Sequence, residues 1–200
     1  MLSDKEKMLA GLAYQPFSDE LTQLRLENKE RLYEYNILTR PSDKAKKAEL
    51  ITTILGKSGN TPHIVSPFYC DYGCFIEVGE NFFANYNCTI LDSGSVKIGN
   101  NVLFAPNVSL YTVGHPLDPE LRKQEWEQAS PIIIGDNVWI GGNVIILSGI
   151  TIGDNVVIGA GSLINKDIPP NCLVVGNPCH IVREINEQDR KHYQQTYMPQ

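Results

Sequence analysis

A six-residue hydrophobic repeat, an eighteen-residue spacing of its turns and the loss of helical periodicity near residue 60 predict one fold class. It is an all-β parallel β-helix, preceded by a small N-terminal α-helical segment and followed by a C-terminal helix. In the stretch 134–169 an isoleucine recurs every six positions, at Ile134, Ile140, Ile146, Ile152, Ile158 and Ile164. The same phase runs through Ile98, Phe104 and Leu110, and through Val78, Ala84 and Ile90. Gly-x-Asn turns begin at Gly79, Gly99, Gly135 and Gly153, and the last three are 36 and 18 residues apart. The 20 residues between Gly79 and Gly99 predict a two-residue insertion near Asp92–Ser95. Each hexapeptide then reads as a short strand plus a tight turn, and three of them close one triangular coil with the repeating residue inside. Stacked coils share parallel ladders at about 4.8 Å, and glycine and asparagine at the corners supply positive φ where it is needed. An ordinary sandwich would instead show period-two alternation over longer strands. The repeat length corresponds to roughly five coils.

Residues 1–60 read as the helical segment. Ser3 and Glu6 form the S-x-x-E of a capping box, followed by Met8, Leu9 and Leu12 at helical spacing until Pro16 ends the element. A second helix is expected from about Ser18 to Asn36, with Leu21, Leu24, Leu32 and Tyr35 on its apolar stripe. A third follows Pro41, with Ser42 as N-cap, carries Ala48, Ile51, Ile54 and Leu55, and stops at Gly56. The polar stretch Lys57–Pro62 marks the boundary. The division is therefore 1–60 helical, 61–184 β-helix and 185–200 a terminal helix and tail, with the helix over Asn186–Tyr197. Three short helices are too few to bury a core alone, so this segment is expected to dock on the rest.

At 200 residues the chain is one domain with a small attachment, and 42% hydrophobic against 20% charged residues is enough apolar material for a core. The opening MLSDKEKML is charged, and no apolar run approaches the 18 or so residues needed to span a bilayer, so neither a secretory signal nor a membrane partner is expected. Five cysteines, an odd number, fit a reducing cytoplasm better than a disulfide scaffold. A net charge of −6 speaks against a nucleic-acid partner.

Of four histidines only His115 is placed to act. It follows the in-phase hexapeptide beginning at Leu110 and precedes PLDPELRKQEWEQASP, residues 116–131, a polar, proline-bounded stretch that must leave the coil as a loop. An anchoring histidine with a satisfied ring is the alternative. Asn85 suits a corner or ladder, and Asp71 and Asp92 read by default as solvated corner carboxylates. His63, His180 and His192 lie at the margins of the repeat, so no metal set converges, while Cys70 and Cys88, eighteen apart, are expected to stack on adjacent coils. The glycines follow the repeat rather than a Walker or Rossmann phosphate loop.

Several stretches carry a family resemblance: Lys5–Gly11, Cys70-Asp71-Tyr72-Gly73, Asn81–Asn85, Ala105-Pro106-Asn107, Val-Gly-His-Pro at 113–116, Asn-Val-Trp-Ile-Gly-Gly at 137–142, Val-Ile-Gly-Ala-Gly-Ser at 157–162 and Lys166–Pro170. Over roughly residues 4–185 the chain resembles the maltose and galactoside O-acetyltransferases among the left-handed β-helix acyltransferases. The resemblance implies acetyl-CoA as co-substrate, a sugar or glycoside hydroxyl as acceptor, no metal, and a homotrimer with active sites between subunits. It implies His115 as general base, a backbone amide near Gly142 for the oxyanion, and direct transfer without a cysteine nucleophile. Asn85 is implied in catalysis and in contact with both substrates. Gly142, Ala160, Asn165, Lys166, His180 and Arg183 are implied in acetyl-CoA binding, with Lys166 and Arg183 supplying charge for phosphate. Asp71 and Ser93, with Asn85, are implied in acceptor binding. Three positions depart from the pattern: galactoside-type enzymes have acids where this chain has Ser93 and Pro16, and often arginine at His180. Acetylation of an antibiotic or amino sugar is the alternative activity, and a non-enzymatic trimeric scaffold a more distant one. A loop of sixteen residues leaving the coil at a histidine favours an enzyme.

Overall fold

The computed structural model describes residues 1–60 and 62–198. The inward row predicts the architecture because its side chains have nowhere else to go. Val78, Ala84, Ile90, Ile98, Phe104, Leu110, Ile134, Ile140, Ile146, Ile152, Ile158 and Ile164 are all buried in one continuous core. Around them run three parallel sheets. The first face stacks Lys57–Ser58, Ile76–Val78, Val96–Ile98, Ile132–Ile134 and Thr151–Ile152. The second stacks His63–Ile64, Phe83–Ala84, Leu103–Phe104, Trp139–Ile140, Val157–Ile158 and Cys172–Val175. The third stacks Phe68–Cys70, Cys88–Leu91, Ser109–Tyr111, Ile145–Ile146 and Leu163–Ile164. These make five full coils and a partial sixth, the latter completed on the first face only by a bridge from Ile152 to Ile168. Lys57–Ser58 pairs with Glu77–Val78, so the first coil begins inside the polar stretch that marked the boundary.

Register shows where the repeat is interrupted. Phe68 pairs with Cys88, and Ile76 with Val96, a twenty-residue advance. Ile133 pairs with Thr151, an eighteen-residue advance. The surplus lies at Asp92–Ser95, as the spacing predicts, and also at Asp71–Phe75 one coil earlier. Both sit at the corner between the third and first faces. The same register places Cys88 opposite Phe68 and Cys70 opposite Ile90, so the two cysteines are not ladder partners as their eighteen-residue spacing suggested.

Glycine and asparagine divide the corner work rather than share it. Asn81, Asn101, Asn137, Asn155 and Asn171 take φ between 54° and 61°. Their side-chain amides form a continuous ladder, each donating to the next at 2.8–3.1 Å. The glycines two residues before four of them are there for space. A Cβ at Gly99 would stand 2.3 Å from Asp136 Oδ1 and 2.6 Å from the Gly135 carbonyl oxygen.

The helical segment follows its pattern with three shifts at helix ends, the first being that the opening helix stops at Leu9, well before Pro16, where Gly11 takes a φ of 71° and Leu12 is left exposed. Helix α1 (Asp4–Leu9) carries the reciprocal Ser3–Glu6 capping box. Helix α2 (Asp19–Tyr33) gives way to a π-turn over Glu34–Leu38 instead of running as α-helix to Asn36. The wider turn lets Tyr35 donate to the Ile64 carbonyl while Asn36 exchanges hydrogen bonds with the Phe68 backbone at 2.8 and 2.9 Å. Helix α3 (Lys44–Ile54) is capped by Asp43, which accepts from the Lys46 N–H at 3.1 Å, and not by Ser42. Leu32, Tyr35, Leu50, Ile51 and Ile54 join the main core. Met8, Tyr14 and Leu21 form a second cluster with Tyr72 and Ala129. At the other end His180–Glu184 pairs antiparallel with Cys172–Val175, and α5 (Glu187–Tyr197) projects from it with no buried residue. Among the described residues no helix is long and apolar enough to cross a membrane.

The asparagine ladder yields a test. Asn137→Ala removes two ladder hydrogen bonds and puts a Cβ without a compensating amide at positive φ, and should destabilise by about 2 kcal/mol. Asn137→Gly keeps the backbone freedom and should lose about 1 kcal/mol or less. Urea unfolding of the two variants checks the order; equal losses would mean that φ contributes nothing.

Candidate active site

The corner between the third and first faces is where three successive coils break the six-residue rule, and their excursions pile on one another. The lowest, Asp71–Phe75, is held by Asp92 from the coil above. Its Oδ1 accepts from the Asp71 and Tyr72 N–H groups at 3.0 and 2.9 Å. Asp92 is fully buried, not the solvated corner carboxylate expected, and its Oδ2 has no partner. Burial pushes its pKa up to about 7, with neighbouring Asp71 adding to the rise and the backbone donors opposing it. Asp71 is half-buried, and burial raises its pKa against the pull of Arg25. The Arg25 guanidinium lies 5.6 Å from the Phe17 ring centre and 5.5 Å from that of Tyr72. It donates to the Tyr72 phenol oxygen and the Pro16 carbonyl. Ser93 is buried against the Tyr14 phenol. Thr112 Oγ1 accepts from the Gly94 N–H at 2.8 Å, tying the second excursion to the third.

The third excursion runs from Thr112 to Pro131 and contains the 116–131 stretch. It is organised more than a loop: Val113–Gly114 pairs antiparallel with Gln128–Ala129, and a short helix α4 (Pro119–Lys123) is capped by Asp118. His115 leaves the end of this ladder with its side chain 56% exposed. It lines a cleft of about 270 Å³ with Gly114, Trp126, Glu127, Ser130 and Ser148. Its Nε2 lies 4.0 Å from Glu127 Oε1. The other oxygen of Glu127 accepts from the Tyr14 phenol at 2.5 Å. Neither Tyr14 nor Glu127 stood out in the sequence. Tyr14 falls outside the helical spacing, and Glu127 looks like one charge among several in a polar stretch.

The residues singled out from the sequence fall into groups. Asp71, Ser93 and His115 share the broken corner. Asn165 and Lys166 stand at the same corner farther up, one coil on from the cleft residue Ser148, because Ile164 pairs with Ile146. Cys179 Sγ lies 3.7 Å from Asn165 Oδ1, and the His180 ring packs over Gly176, which brings His180 near that pair. Asn85, Gly142 and Ala160 lie elsewhere, on the corner between the second and third faces. There Asn85 Oδ1 accepts from the Tyr86 N–H at 2.8 Å, and the Gly142 carbonyl accepts from the Gly161 N–H at 2.8 Å. Within one chain the third face separates them from His115. Lys166 is exposed. The Arg183 guanidinium grips Asp189 by both carboxylate oxygens, one at 2.9 Å, and holds that carboxyl at about 2. All five cysteines are free thiols, and among the described residues no three histidines, cysteines or carboxylates gather at one point.

The buried Asp92 makes stability depend on pH. Its folded-state pKa lies above the unfolded value, so the folded chain keeps a proton that the unfolded chain releases first. Its contribution therefore declines as pH rises from about 4 to about 7 and is flat above. Asp92→Asn keeps an oxygen for the two backbone donors and removes the charge. The melting temperature of the variant relative to the parent should rise between pH 5 and pH 8; a pH-independent difference would mean that Asp92 is already ionised in the fold at pH 5 and that burial does not raise its pKa.

Comparison with known proteins places this arrangement. The maltose acetyltransferase hexapeptide capping motif matches residues 7–59, and six bacterial transferase hexapeptide repeats match residues 131–166. A galactoside O-acetyltransferase of Escherichia coli K12 is 45% identical over 192 residues, spanning 96% of this chain and 94% of the relative. The crystal structure of a maltose O-acetyltransferase from Clostridium difficile 630 has a TM-score of 0.91 at 48% identity, covering 92% of this chain and 98% of that one. A galactoside acetyltransferase in complex with coenzyme A has a TM-score of 0.94 at 44% identity and covers 100% of both chains. With identity sustained from the capping helices through the last coil, this chain belongs to the maltose and galactoside O-acetyltransferase family of hexapeptide-repeat transferases.

Proposed function

We propose that the chain transfers the acetyl group of acetyl-CoA directly to a hydroxyl of a sugar or glycoside. The observation that carries this reading is the full-length match in sequence and fold to a galactoside acetyltransferase solved with coenzyme A. The exposed imidazole in a cleft beside a rigid coil supports it. In this reading His115 takes the proton of the acceptor hydroxyl as its oxygen bonds to the thioester carbonyl carbon. The Gly142 N–H steadies the oxyanion. Collapse breaks the carbon–sulfur bond, and His115 returns the proton to the departing sulfur. Asp71, Ser93 and Asn85 orient the acceptor. Gly142 and Ala160 offer backbone to the pantetheine arm, and Asn165, Lys166 and His180 attend the cofactor end. Arg183 joins them by exchanging Asp189 for phosphate.

The separation of His115 from Asn85, Gly142 and Ala160 on two corners supports a homotrimer whose sites form where the corner of one subunit meets the other corner of its neighbour. Trp139 and Leu103 support the same assembly: they are ladder partners on the second face, 54% and 47% exposed, an apolar surface suited to a partner. Five free thiols fit a cytoplasmic location.

His115→Ala should lower kcat by about 10²–10⁴-fold with acetyl-CoA affinity nearly unchanged. Retention of more than a tenth of the rate would remove His115 as base. Co-expressing His115→Ala with Asn85→Ala tests the shared site: randomly mixed trimers should regain about a quarter of parental activity, whereas a site within one chain would regain none. Lys166→Glu should raise the KM for acetyl-CoA, less so at high salt, and leave the acceptor KM in place. A change confined to the acceptor KM would move the cofactor site elsewhere.

A further inference from the structure

We infer that Tyr14, carried by the N-terminal helical segment, positions Glu127 beside His115, and that the Glu127 carboxylate balances the charge His115 gains on taking a proton. The inference rests on the acyl-transfer reading above and assigns that segment a part in it. Three observations carry it. First, the two oxygens of Glu127 face different partners: Oε2 accepts from the Tyr14 phenol at 2.5 Å, which leaves Oε1 facing His115 Nε2 at 4.0 Å. That gap is too long for a hydrogen bond and short enough for an ion pair once the ring is protonated. Second, Tyr14 is itself immobilised. It is 0% exposed within the cluster of Met8, Leu21, Tyr72 and Ala129, and its backbone exchanges hydrogen bonds with Glu127 at 3.0 and 3.2 Å. The phenol is thereby aimed by two constraints, and burial with the adjacent carboxylate keeps it protonated and a donor. Third, exposure falls along the chain from His115 at 56% to Glu127 at 17% to Tyr14 at 0%. The reactive ring meets solvent while its support does not.

Further ties make the support mechanical as well as electrostatic. The Gln15 amide donates to the Gln124 carbonyl at 3.0 Å, and the Gln128 amide to the Gly11 carbonyl at 3.1 Å. The strand leading out of α1 thus lies along the returning arm of the hairpin. An imidazolium shares its charge over both nitrogens, so a carboxylate held at one edge helps whichever nitrogen takes the acceptor's proton. A Glu127 free to swing into solvent would be screened and would lose that effect.

Kinetics on the full chain test this, with CoA release followed by a thiol reagent. The acceptor is whichever of maltose, glucose and methyl β-galactoside is turned over fastest. Glu127→Gln should lower kcat by about tenfold to a hundredfold, and Tyr14→Phe by about threefold to tenfold, with the KM for acetyl-CoA within twofold of the parent. In a His115→Ala background, Glu127→Gln should cause no further loss, because the carboxylate acts through the ring. A full additional loss there would mark Glu127 as acting elsewhere and overturn the inference. If His115→Ala is inactive while Glu127→Gln is as fast as the parent, the inference fails and the acyl-transfer reading stands. If no acceptor is turned over, or His115→Ala stays active, the reading itself fails. Should Tyr14→Phe melt early, Glu127→Gln carries the decision alone, since it keeps the shape and the acceptor oxygen for the phenol.

Discussion

Each coil rests on the next through parallel backbone ladders only about 4.8 Å apart, and that spacing governs everything outside the core. Side chains on the inward row can be large because three faces diverge around them. At a regular corner the chain of one coil lies directly on the chain of the next, so there is no room for a Cβ at Gly99, and none at Gly135, where it would meet Asp154 Oδ1 at 2.2 Å. The residue that turns the chain must also accept positive φ and offer its neighbours a hydrogen bond, which asparagine does on both counts. Regular corners are therefore chemically monotonous. They hold the prism together and offer chiefly backbone, glycine and asparagine, which is all that the roles proposed for Asn85 and Gly142 require.

The residues proposed as base and acceptor contacts, His115, Asp71 and Ser93, lie where that constraint is relaxed. The corner between the third and first faces carries extra residues in three successive coils, and the surplus backbone opens room for side chains that a hexapeptide could not present. The relaxation has its own cost. Excursions expose backbone N–H groups that the ladders no longer satisfy, and Asp92 and Thr112 step in as side-chain acceptors for them. A buried carboxylate is an expensive way to satisfy two amides. What Asp92 gains in return is contact with the two N–H groups that shape the Asp71 excursion.

The N-terminal helices serve two ends of this architecture. Through Tyr35, Leu50, Ile51 and Ile54 they close the open end of the first coil, where an uncovered row of apolar side chains would face water. Through Met8, Tyr14 and Leu21 they grip Tyr72 and Ala129, which belong to the excursions and not to the prism. The helical segment is thus a second scaffold for the parts of the coil that break the repeat.

The sequence by itself determined the prism. Periodicity at six residues is a statement about which side chains avoid water, and the row from Val78 to Ile164 is buried without exception among those named. It determined the capping box at Ser3 and the departure of the chain at His115 for the same reason: both are local patterns that need no distant partner. Tertiary structure decided what depends on register and on contacts across many residues. Cys70 and Cys88 part company because two extra residues per coil shift the ladder by two. Asp92 is buried because another coil's excursion closes over it. Tyr14 meets Glu127 across 113 residues of sequence, through a docking of helix on hairpin that leaves no trace in the spacing of either. The division of the proposed site residues between two corners likewise follows from winding. Positions that look equivalent along the chain diverge in space when each six-residue step also turns a corner.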